Sequence, residues 1–113
     1  MIGLEVTRAD VSSALALALI AELNSELTAT YPEPGATHFR LDPEDVNESS
    51  GAFLVAFLAG EPVGCGAVRR LDAETAEVKR MYVKAALRGR GIARRILDEL
   101  ESHARRLGVR RIV

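Results

Sequence analysis

An α/β (α+β) fold, a mixed and mostly antiparallel sheet flanked by helices, is predicted by three observations on the sequence. A short alternating segment near the N-terminus leads into a long helical apolar stripe. Three strand-like apolar runs then follow one another with only short polar links. A glycine-rich turn leads from the last of these into an amphipathic helix. Links this short join antiparallel neighbours, because a parallel crossover needs about a dozen residues or more. The 113 residues are expected to form one domain, 1–113, with a real core, since 48% apolar and 27% charged residues is an ordinary globular balance.

Leu4–Thr7 alternates apolar and polar residues and reads as a first strand. Asp10 is placed to cap a helix, its carboxylate accepting from N–H groups of the next turn. Val11, Leu15, Leu19, Leu23 and Leu27 recur every four residues along that helix, which ends before Tyr31-Pro32 because the residue before proline avoids the helical region. Tyr31–Ser50 holds three of the four prolines and no sustained period, so it reads as a loop with a short helix near Pro43-Glu44-Asp45. His38 lies in it as a solvated polar residue. Ala52–Ala59 is apolar without interruption, the pattern of a strand covered on both faces. Gly60-Glu61 links it to a strand at Pro62–Val68, and Asp72-Ala73-Glu74-Thr75 links that to a third at Ala76–Val83. Gly64 and Gly66 weaken the middle strand and permit a bulge or a close ligand approach. Ile92, Ile96, Leu97, Leu100, Ala104 and Leu107 line one side of the next helix. Arg94 with Asp98, Arg95 with Glu99 and Glu101 with Arg105 are spaced i,i+4 on its wet side. Gly108 stops it as the C′ residue, and Val109–Val113 begins another strand.

Net charge is −1, which argues against bulk affinity for nucleic acid or for a membrane. The charge is unevenly spread, with eleven of the Lys and Arg residues and three of the Asp and Glu from Lys79 onward. Cys65, the single cysteine, lies in an apolar strand and reads as a buried core thiol. With no Cys-x-x-Cys spacing and two isolated histidines, no metal is expected. No apolar run is long enough for a membrane span and no basic, then apolar, leader is evident, so a cytoplasmic protein is expected.

Arg88-Gly89-Arg90-Gly91-Ile92-Ala93 carries the chemistry. Two glycines one residue apart let the backbone turn sharply, and the following helix aims its unpaired N–H groups and positive dipole end at the same spot. That combination suits a phosphate or pyrophosphate. A Rossmann site is excluded because Arg94 stands where its third glycine would be, and a Walker loop because Gly-Lys-Ser/Thr is absent.

The order strand, long helix, three antiparallel strands, Arg-x-x-Gly-x-Gly/Ala turn, helix, strand resembles the GNAT superfamily of N-acetyltransferases. Nearly the whole chain shares the element order, while residues 76–107 carry the specific part: Ala76-Glu77-Val78-Lys79-Arg80-Met81-Tyr82-Val83 followed by Arg88 through Ala93. The resemblance implies acetyl-CoA as co-substrate, with no metal, and a primary amine of a small molecule or protein as acceptor. It assigns the pyrophosphate to Arg88, Gly89, Arg90, Gly91, Ile92 and Ala93, with Arg94 beside them. It assigns the pantetheine amides to main-chain groups of Met81, Tyr82 and Val83. Glu77 matches the place where some members carry a glutamate that takes a proton from the amine. The alternative for Glu77 is a strand carboxylate paired with Lys79 or a neighbouring strand. A strand N–H such as that of Met81 or Tyr82 is the donor expected for the tetrahedral oxyanion.

A complete family member continues past the strand at Val109 with another helix and two strands, and that helix commonly carries the tyrosine that protonates the thiolate. Neither Tyr31 nor Tyr82 matches its position, so no general acid is assigned. The C-terminal part of the fold is therefore expected to be missing from residues 1–113, and pairing of two copies as a homodimer is one way to cover the edge left behind. Two other functions stay open: a non-catalytic acyl-CoA-binding or interaction domain, and a basic nucleic-acid module. The second is opposed by Asp98, Glu99 and Glu101 among the arginines and by the scarcity of aromatic residues.

Overall fold

The computed structural model describes residues 3–10, 13–30 and 50–113. Alternation in the first segment produces strand β1 (Leu4–Arg8), which turns Leu4 and Val6 to the core and leaves Glu5 and Thr7 exposed. Helix α1 (Ala14–Thr30) starts at Ser13 and not at Asp10. Ser13 Oγ accepts from the Ala16 N–H at 3.1 Å, whereas Asp10 gives its carbonyl to the Ser13 N–H at 3.0 Å. A serine hydroxyl three residues ahead of that N–H is the better-placed acceptor. Within the expected stripe Leu19 is buried beside Ala16, and Leu15 is partly buried. Val11, the side chains of Leu23 and Leu27, and residues 31–49 with His38 and the short helix near Pro43 lie outside the described residues.

Strand β2 (Gly51–Leu58) is buried from Gly51 to Ala56, as an uninterrupted apolar run requires when both faces are covered. It turns into β3 (Glu61–Arg70) through Ala59 and Gly60, at φ 53° and 83°. Two left-handed residues match the twist of a hairpin, so the link sits one residue earlier than Gly60-Glu61. Strand β4 (Thr75–Val83) follows a turn in which Asp72 Oδ1 accepts from the N–H groups of Glu74 and Thr75, both at 2.8 Å. Those bonds hold the Asp72 carboxyl below its ordinary range.

A single-turn 3₁₀ helix at Ala85–Leu87 precedes helix α2 (Ile92–Arg106), and Gly108 at φ 86° ends that helix as its composition suggested. Strand β5 (Arg111–Ile112) is shorter than the run Val109–Val113, because Val109 turns into the core. The sheet order is β1-β2-β3-β4-β5, antiparallel throughout except for β5, which runs parallel to the start of β4.

Alternation along the strands divides the apolar residues into two layers. Leu54, Val68, Ala76 and Val83 pack with Ile92, Ile96, Leu100 and Ala104 of α2. Phe53, Val55, Cys65 and Ala67 pack with Ala16 and Leu19 of α1. Burial, and then the charge of Glu22, push the Cys65 thiol up to about 12, so it remains a protonated core group at neutral pH. Helix α2 presses so closely on β3 that a Cβ at Gly66 would stand 2.8 Å from Ile96 Cγ2 and one at Gly64 3.2 Å from Ile96 Cδ1, while the Tyr82 carbonyl oxygen of β4 would lie only 2.6 Å from the latter. Close approach of helix and strand is thus what the two glycines serve. Among the described residues no helix is long and apolar enough to cross a membrane.

Candidate functional site

The pairing of β3 with β4 slips by one residue: Ala67 faces Lys79, but Cys65 faces Tyr82. Two steps on β3 therefore match three on β4, a bulge that reverses the alternation of β4 between Lys79 and Tyr82. Before it, Val78 is turned to the α2 layer and Lys79 to the α1 layer, and after it Met81 faces α2 and Tyr82 faces α1. As a result Glu77 and Tyr82, an odd number of positions apart, share one face of the sheet.

Glu77 sits opposite Arg69 and is held by it at 3.2 Å and by Lys79 at 3.7 Å, with a third of the side chain exposed. The geometry thus contains the strand ion pair anticipated as the alternative role of this residue. The ring of Tyr82 packs against the α1 layer, and its hydroxyl donates to Glu22 Oε2 at 3.4 Å. Lys84 Nζ lies 3.8 Å from the other oxygen of Glu22. Glu22 was not singled out from the sequence, because a lone glutamate on a helix gives no sign of which strand it will face.

Beyond β4 the chain is tied down by its own arginine. Arg88 Nε donates to the Val83 carbonyl at 2.9 Å, and its guanidinium lies 5.7 Å from the centre of the Tyr82 ring. Its side chain thus folds the turn back onto the strand end, and Arg94 is engaged with Asp98 at 3.2 Å. The turn therefore presents its main chain outward, together with the exposed Arg90. Gly89 and Gly91 sit at φ 81° and 85°, where a side chain would be strained, yet a Cβ at either would meet nothing within 4 Å. Conformation selects these glycines, and their outer side is open.

Gly91 is the N-cap of α2 and offers no side-chain cap, while its carbonyl accepts the first helical bond from the Arg95 N–H at 3.1 Å. The N–H groups of Ile92, Ala93 and Arg94 have no carbonyl one turn earlier to bond, and they stand at the positive end of the helix dipole. Ile92 and Ala93 line a cavity of about 240 Å³ together with Val83, Leu87, Arg88, Gly89 and Gly91. The cavity brings together the end of β4 and the turn, with apolar walls from Val83, Leu87 and Ile92. Met81 lies just before it, its side chain packed against the α2 core, and Arg90 is exposed on the turn. Glu77 lies at the other end of the strand, about 20 Å from Val83 at the usual rise per residue.

Residues 17–113 match the acetyltransferase (GNAT) family. The chain is 40% identical over 93 residues to a curated protein named IAA acetyltransferase from Azospirillum brasilense, an alignment covering 80% of this chain and 59% of that protein. The chain therefore spans less than two thirds of that relative. Among solved structures it is similar to an acetyltransferase from Streptococcus agalactiae, with a TM-score of 0.74 and 19% identity, covering 96% of this chain and 70% of the other. It is also similar to a GNAT family acetyltransferase from Elizabethkingia anophelis with acetyl-CoA bound, at a TM-score of 0.65 and 18% identity, covering 96% and 62% of the two chains. At these identities the structural likeness establishes the fold.

Proposed function

The chain belongs to the acetyltransferase (GNAT) family, and on that footing we propose that it transfers an acetyl group from acetyl-CoA to a primary amine. The observation that carries this reading is the open main-chain turn at Gly89–Ala93, set on the N-terminus of α2 and joined by one cavity to the end of β4. An uncapped helix N-terminus with two left-handed glycines holds a pyrophosphate through N–H groups alone. The acetyl-CoA bound to the Elizabethkingia anophelis structure supports the choice of donor. Residues 1–113 are taken as one domain in this reading.

In the proposed reaction Met81, Tyr82 and Val83 orient the pantetheine arm through main-chain groups, and a strand N–H of Met81 or Tyr82 donates to the developing oxyanion. The neutral amine attacks the thioester carbonyl carbon, the nitrogen gives up a proton to the Glu77 carboxylate directly or through water, and the C–S bond breaks to release coenzyme A as its thiolate.

The test is calorimetric titration with coenzyme A of the chain and of Gly91→Glu. The substitution forces a side chain into the left-handed region and sets a carboxylate where the phosphates bind, so binding is expected to be abolished while the far-ultraviolet spectrum is kept. Unchanged affinity would overturn the assignment of the turn.

A further inference from the structure

At the opposite end of α2 from the glycine turn, a second cavity of about 260 Å³ opens between Arg8 of β1, Gly51 of β2, and His103, Arg106 and Leu107. The 15 residues of α2 separate it from the turn by about 22 Å at 1.5 Å per residue. Three arginines of this helix have carboxylates one turn away: Arg94 with Asp98, Arg95 with Glu99 and Arg105 with Glu101, at 3.2, 3.4 and 3.7 Å. Arg106 has no ion pair among the described residues, because Ser102 stands where its carboxylate would be. It lines the cavity instead.

The opposite wall is also cationic. Arg8 Nη2 donates to the Gly51 carbonyl at 3.1 Å, which fixes that guanidinium at the cavity edge. His103 lines the same cavity, and its imidazole is held below its ordinary range by burial first and then by Arg106 and Arg8, against a smaller opposing pull from Glu99. The negative end of the α2 dipole is answered by a different residue, since Arg70 donates to the Leu107 carbonyl. Two arginines and a histidine from β1 and α2 thus line one concave site, with β2 anchoring the first through its Gly51 carbonyl.

We propose that this cavity is a second anion site, taking a small oxyanion, the phosphate or carboxylate group of a ligand, between the guanidinium groups of Arg8 and Arg106 with His103 as a further donor. It is separate from the acetyl-CoA site and does not depend on that assignment. An oxyanion beside the imidazole favours its protonated form, so binding raises the midpoint of His103.

The experiment follows the His103 ring by NMR during titrations of the 113-residue chain with phosphate, acetate or chloride at matched ionic strength. A saturable upward shift of the midpoint with phosphate or acetate, absent with chloride, is expected. The shift is expected to be lost in Arg106→Ala and kept in Arg105→Ala, which removes the same charge from the same helical turn. A response to phosphate alone assigns a tetrahedral group, and one to acetate alone a carboxylate. No response, an equal response to chloride, or a response that survives Arg106→Ala overturns the site.

Discussion

Glu77 has a structural role in its ion pairs and a proposed one as proton acceptor. Its ion pairs with Arg69 and Lys79 tie β4 to β3, and its place on the face shared with Tyr82 suits a proton acceptor. The two roles separate in Glu77→Gln, which keeps size and hydrogen bonding but not charge. If Glu77 takes the amine proton, turnover at neutral pH falls by roughly 10²-fold or more while coenzyme A affinity stays nearly intact. Parallel losses of turnover, affinity and thermal stability would leave only the ion pair. Single residues were legible in the sequence where their backbone demands were extreme. Gly91 and Gly108 declared themselves because few other residues sit at positive φ, and Cys65 because it lies in an apolar run. The use of Arg88 was not legible, since nothing in its spacing separates a side chain aimed at a ligand from one folded back on the Val83 carbonyl.

The three ion pairs along α2 and the burial of β2 followed directly from local spacing. The cap of α1 did not, because Asp10 and Ser13 are both good caps and only the path of the chain decides between them. Least visible was the slip between β3 and β4, which depends on pairing across strands and leaves no mark on either strand alone. It is supported by the contact of α2 with β3 at Gly64 and Gly66. A methyl group at Gly64 meets the Tyr82 carbonyl, which is backbone and cannot step aside, whereas one at Gly66 meets side chains of Met81, Ile96 and Leu100. Gly64→Ala is therefore expected to lower stability by about 1–3 kcal/mol in urea unfolding, and more than Gly66→Ala does. A smaller loss at Gly64 would show that β3 and the Tyr82 carbonyl of β4 are not held at contact distance there.

At the scale of the whole molecule, His103 and Asp72 respond to acid in the same direction. His103 has a folded value below its ordinary 6.5, so between the two the unfolded chain binds a proton that the folded chain refuses. Its contribution to stability is fully present above that pH and declines as pH falls toward the folded value. Asp72 acts likewise at lower pH, its contribution present above 3.8 and lost as pH falls toward its lowered folded value. The urea midpoint is thus expected to drop between pH 7 and pH 5.5, and His103→Gln to flatten that interval. An unchanged slope in the variant would remove His103 from the account. The strand order carries a different consequence, one for the history of the chain. Each strand lies beside the strand made just before it, so the sheet lengthens at a single margin. Among the described residues no strand has to be threaded between two already in place, and pairing of these strands can keep pace with synthesis from β2 onward.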